Sequence, residues 1–78
     1  MTDINLADVT IHIDKDTDTD TRQAVETALR AVGGVISVHM PSDESHLVVV
    51  EYDPDATTSS HLLTMVKEVS GHAELIGL

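Results

Sequence analysis

A chain of 78 residues supports one domain around one small core, and with no cysteine it has neither disulfides nor thiolate metal sites to reinforce that core. Fourteen Asp and Glu against four Lys and Arg give a formal net charge of -10, which sets aside nucleic acid and anionic membrane surfaces as partners because both would repel it. No apolar run nears the roughly 20 residues of a membrane span, and the N-terminus lacks the basic, apolar, small-residue order of a secretory signal, so a soluble, cytoplasmic single domain over residues 1–78 is expected.

In chain order, Val9, Ile11 and Ile13 alternate with Thr10 and His12, which predicts a half-buried strand over 8–13. Asp20 with Gln23 resembles a capping box, and Ala24, Val25, Ala28, Leu29 and Val32 follow at helical spacing, giving a helix from about 20 to 32. Gly33 and Gly34 are expected to stop it through positive φ angles. Ile36, Val38 and Met40 then alternate in a second strand over 35–40, closed by Pro41. Ser42–Ser45 is a turn, and His46–Tyr52 is too short and too β-branched for a helix, so it reads as a third strand, apolar on both faces.

Beyond Asp53 and Pro54, a Thr and Ser cluster offers N-caps for a second helix, with Leu62, Leu63, Val66 and Val69 at helical spacing and Gly71 as its stop. Residues 73–76 suit a final short strand. The order is βαββαβ. Right-handed crossovers put both helices on one face of a four-stranded antiparallel sheet, an α+β ferredoxin-like sandwich. That topology hosts many unrelated functions and assigns none by itself.

Several stretches resemble the heavy-metal-associated (HMA) domain family of copper chaperones and metal-pumping ATPases. They are Val25-Glu26-Thr27-Ala28-Leu29, Gly34-Val35-Ile36-Ser37-Val38, Val50-Glu51-Tyr52-Asp53-Pro54 and the ending around Leu75-Ile76-Gly77. The resemblance covers about residues 8–78. It implies a Met-x-Cys-x-x-Cys motif on the loop before the first helix, and counting back from Glu26 places Asp16 at the methionine and Asp18 and Thr21 at the two cysteines. The chain is thus a cysteine-less member by this resemblance. Paired thiolates at a helix N-terminus hold a soft ion, whereas a carboxylate is a hard ligand and a neutral hydroxyl a poor one, so Cu(I) and Hg(II) affinity should be lost.

The alternating Asp-Thr loop fails as a calcium EF-hand in both registers. Counting from Asp14 puts Thr19 and Val25, and counting from Asp16 puts Thr21 and Thr27, where glycine and the last carboxylate belong. One reading makes Asp18 and Asp20 helix-capping and dipole-compensating groups. Another makes the loop a weak site for a hard cation, and a third joins His72 to Asp16 or Asp18 in a nitrogen and oxygen site for Zn(II), Ni(II) or Co(II), because in the family's fold the loop before the last strand lies beside the metal-binding loop. Among the five histidines no closely spaced pair appears in the sequence.

Enzyme chemistry finds little support. No Ser, His and carboxylate stand at an informative spacing, the acidic loop has no likeness to the basic phosphate cradle of acylphosphatases, and Gly33–Gly34 lacks the surroundings of a phosphate loop. Met40 and Met65 read as packing residues. With no cofactor expected, the chain reads as a protein-interaction or regulatory module, docking onto a protein partner or onto itself. The alternative is a metal-binding or transport protein with Asp and His ligands, and ligand sensing of the ACT type is a third possibility. The period of two turns Leu47, Val49 and Glu51 outward beside Thr10, His12, Ser37 and His39, which makes the open sheet face, around Leu47, Val49, His12 and His39, the expected interaction surface. Abundant Asp and Thr, only Lys15 and Lys67 as lysines, and no Phe or Trp also resemble the composition of salt-adapted proteins; an ordinary acidic protein, screened by cellular salt, is the rival.

Overall fold

The computed structural model describes residues 6–44 and 46–76; Ser45 and Gly77, which entered the turn and the resemblance above, lie outside them. The elements are β1 (Ala7–Ile13), α1 (Thr19–Arg30), β2 (Val35–His39), β3 (Leu47–Tyr52), α2 (Ser59–Ser70) and β4 (Ala73–Leu75). The strands form one antiparallel sheet in the order β2-β3-β1-β4. Both helices lie on one side of it, so the expected ferredoxin-like sandwich is the fold.

Alternation in β1 and β3 builds the core. Val9, Ile11 and Ile13 face the helices beside Val48, Val50 and Tyr52, and α1 closes over them with Val25 and Leu29 while α2 adds Leu62 and Val66. Each such buried aliphatic contributes about 1.5–3 kcal/mol against exposure, the main term a domain of this size has. Met40 packs at the margin of that core.

Three local expectations need correction. Helix α1 is capped by Asp18, whose Oδ1 accepts the Thr21 amide at 2.7 Å, so Asp20 sits inside the first turn and complements the dipole rather than forming the cap. Of the two glycines after α1, only Gly34 has positive φ, at 100°; the helix already ends at Arg30 with Ala31 in the right-handed region. Gly34 serves a close approach instead. A Cβ there would stand 2.6 Å from the Cβ of Ala56, and its carbonyl accepts the Asp53 amide at 2.8 Å. The third correction concerns β2, where Val35 pairs with Tyr52 and Ser37 with Glu51. Ile36 is the extra residue of a bulge and leaves the alternation, 56% exposed. Gly71 does cap α2, with φ 84°.

Candidate functional site

Two regions of the surface carry the residues singled out by sequence. The first is the β1–α1 loop. Its Asp14 follows β1 directly, and the carbonyl of that residue accepts both the amide and the hydroxyl of Thr17, which folds Lys15 and Asp16 into a turn before Asp18 caps α1. Thr21, through its side chain first and its amide second, holds the Asp18 carboxyl below the ordinary carboxylate range. At the positions the resemblance assigns to two cysteines, one side chain caps the helix and the other residue donates to that cap.

Across the loop, Nδ1 of His72 lies 3.0 Å from Oδ1 of Asp14. That hydrogen bond first, and the carboxylate's charge second, raise the imidazole above its ordinary pKa. His72 is therefore beside the loop, as the resemblance implies, but its polar partner is Asp14, a residue sequence reasoning did not single out. The signal was present: β1 and β4 pair Ile13 with Ala73, and the next antiparallel pair along that register is residues 14 and 72. Among the described residues no group of three or more His, Asp or Glu could hold a metal ion, so Asp16, Asp18 and His72 are not gathered into a ligand cluster. A depression of about 300 Å³ lies alongside, lined by His12, Ile13, Asp14, Lys15, His72 and Glu74.

The second region is the open face of the sheet. Val49 pairs with Thr10 on one side and His39 on the other, Leu47 pairs with His12, and Glu51 pairs with Asp8 and Ser37. The four residues proposed from sequence, Leu47, Val49, His12 and His39, thus share one face; Leu47, Val49 and His12 are partly buried and His39 is exposed. None of the four Lys and Arg lies on a strand: Lys15 is in the loop, Arg22 and Arg30 in α1, and Lys67 in α2. The strands' own charges are Asp8, Glu51 and Glu74, so the open face is anionic around a small aliphatic centre. Sequence reasoning also missed that the turn before β3 sets the His46 ring against His12, with centroids 5.0 Å apart.

Comparison with solved structures finds close likenesses in shape. Oxidised MerP from Ralstonia metallidurans matches with a TM-score of 0.81 and 19% identity over 94% of this chain and 100% of that one. The N-terminal domain of a potential copper-translocating P-type ATPase from Bacillus subtilis, in its Cu(I)-loaded state, matches with a TM-score of 0.81 and 22% identity over 94% of this chain and 90% of that one. The apo HMA domain of the copper chaperone for superoxide dismutase gives 0.73 and 20% identity over 99% of this chain and 74% of that one. No family model matches the sequence, and no curated protein does. At these identities the likeness is one of fold. The chain has the fold of the heavy-metal-associated domains, and it has that fold without a cysteine. Among the described residues no helix is long and apolar enough to cross a membrane.

Proposed function

We propose that the chain is a non-enzymatic docking module that keeps the heavy-metal-associated scaffold without its soft-metal site and engages a protein partner through the open face of the sheet. The observation that carries the reading is the charge pattern of that face: Leu47 and Val49 at its centre, Asp8, Glu51 and Glu74 around them, and no Lys or Arg on any strand. Such a surface fits a partner with a small apolar contact set in a basic rim. A second copy of the same chain fits it poorly, because each carries a net charge of -10 and two anionic faces would meet. The β1–α1 loop supports the same reading from the other side, since Asp18 is committed to the helix cap and Thr21 to that carboxylate.

The test has two arms. In competition with a strong Cu(I) chelator the protein should retain no stoichiometric copper; retention would overturn the loss of the soft-metal site. In the second arm a Leu47→Asp, Val49→Lys double variant is compared with the parent, by sedimentation and by recovery of partners from native lysate, followed by titration of the purified partner. The expected result is a binding constant weakened at least ~10-fold at low salt, with the fold intact. Unchanged affinity for the same partner would remove the sheet face as the docking surface. A parent dimer dissociated by the variant would make the second copy the occupant.

A further inference from the structure

Two of the five histidines, far apart in sequence, are brought together by the fold. His12 stands on the open face near the end of β1, with Leu47 as its register partner on β3 and Glu74 on β4. His46 lies in the turn entering β3, and its carbonyl accepts the Ile13 amide at 2.8 Å, which pins the turn to the end of β1. The two rings meet edge to face, centroids 5.0 Å apart and planes at 72°. Both residues are partly buried.

We propose that His12 and His46 form a two-imidazole chelate for a borderline divalent cation of the first transition row, Zn(II), Ni(II) or Cu(II), at a place distinct from the Asp14–Thr21 loop. A metal about 2.0–2.1 Å from one nitrogen of each ring holds the ring centres roughly 4.5–5.2 Å apart for angles from square-planar to tetrahedral. The observed 5.0 Å lies in that interval before any metal is added. Because χ2 is a broad torsion for an imidazole, rotation about it is the adjustment that would turn the nitrogen-bearing edges toward a shared metal. Pre-placement of both ligands removes most of the ordering cost of chelation.

The surroundings favour a cation. Glu74 and Asp14 line the depression beside His12, opposed there by Lys15 and by His72, which is hydrogen-bonded to Asp14, and the domain as a whole is strongly anionic. Imidazole nitrogen suits Zn(II), Ni(II) and Cu(II), with Cu(II) bound most tightly. Because no third His, Asp or Glu among the described residues completes a ligand group, water fills the remaining positions, and the site is weaker than a closed four-ligand zinc site. This chemistry differs from that of paired thiolates, and it does not depend on the docking reading above.

The test uses the intact chain at pH 7.5. Substoichiometric Ni(II) or Cu(II) should broaden NMR signals centred on His12 and His46, and Zn(II) should shift the ring nitrogens of those two histidines and of no others. His12→Gln or His46→Gln should weaken Zn(II) binding at least ~10-fold, while His39→Gln and His61→Gln leave it within about twofold. The ring-nitrogen shifts need no variant, so the proposal stays testable even if a substitution disturbs the sheet. Broadening centred on Asp14, Asp16, Asp18 and His72, unchanged affinity in both glutamine variants, or no saturable binding would each overturn it.

Discussion

On the helix side of the sheet, Ile11, Val48 and Val50 are fully sealed, whereas their immediate neighbours on the other side, Thr10, His12, Leu47 and Val49, keep part of their surface in water. The same strands supply both sets, one residue out of phase. Apart from Tyr52, the covered side of the strands is made of aliphatic side chains that fill volume. The open side mixes two aliphatics with carboxylates and imidazoles, a composition that stability alone does not call for. The difference separates a face whose composition serves to fill volume from one whose composition volume does not explain.

The largest expected effect tests that contrast directly. Leu29→Ala, on the buried face of α1, should cost about 2–5 kcal/mol, while Val49→Ala on the open face should cost under about 1 kcal/mol, both read from denaturant unfolding. Equal costs would mean that the open face is a second core and not a working surface. Next comes the one tight backbone approach. Gly34→Ala should cost about 1–3 kcal/mol, because it adds a Cβ at positive φ against Ala56, and Gly33→Ala, which meets nothing within 4 Å, should be nearly neutral.

Thr57 is the one buried polar residue among the described residues, and its hydroxyl has no hydrogen-bond partner there. Thr57→Val should therefore raise stability by about 1 kcal/mol, sharpening the rule that the covered side rewards apolar volume. A loss on this substitution would instead point to a bound water holding the hydroxyl.

The smallest effects come from the loop that joins the two sides, and they have opposite signs in pH. The Asp18 carboxyl is held low when folded, so its contribution is complete above the ordinary carboxylate value and fades as pH falls through the lowered one. The His72 imidazole is raised when folded, so its contribution is complete below about pH 6.5 and fades as pH rises through the raised value. Asp18→Ala should flatten the acid limb of a stability profile below the ordinary carboxylate value, and His72→Gln the limb above the ordinary imidazole value. Unfolding midpoints across pH 3–9 check both; an acid limb unchanged in Asp18→Ala would show that the cap carries no stability.

Much of this was legible because each signal was local. Val9, Ile11 and Ile13 announce a half-buried strand by their own spacing, and the apolar run Leu47–Val50 announces a strand that must be covered on one side at least. What escaped was set by pairs of elements. Ile36 reads as a core residue until the bulge opposite Tyr52 and Glu51 takes it out of phase. Asp20 and Asp18 both precede a plausible first turn, and only the Thr21 amide donating to the Asp18 carboxylate fixes where α1 begins. Asp14 with His72, and His12 with His46, become neighbours only through the register of β1 with β4 and β3, which no single segment encodes.

The bulge at Ile36 has a further consequence for life in a crowded solution. β2 is one margin of the sheet and β4 the other, and an exposed margin offers unpaired amides and carbonyls to any passing strand. β4 is only three residues long, and β2 is interrupted by its bulge, so neither presents the long flat ladder that amyloid-like stacking or strand exchange requires. The displaced isoleucine is the visible cost of that interruption: an apolar side chain left in water where the ladder of β2 is broken.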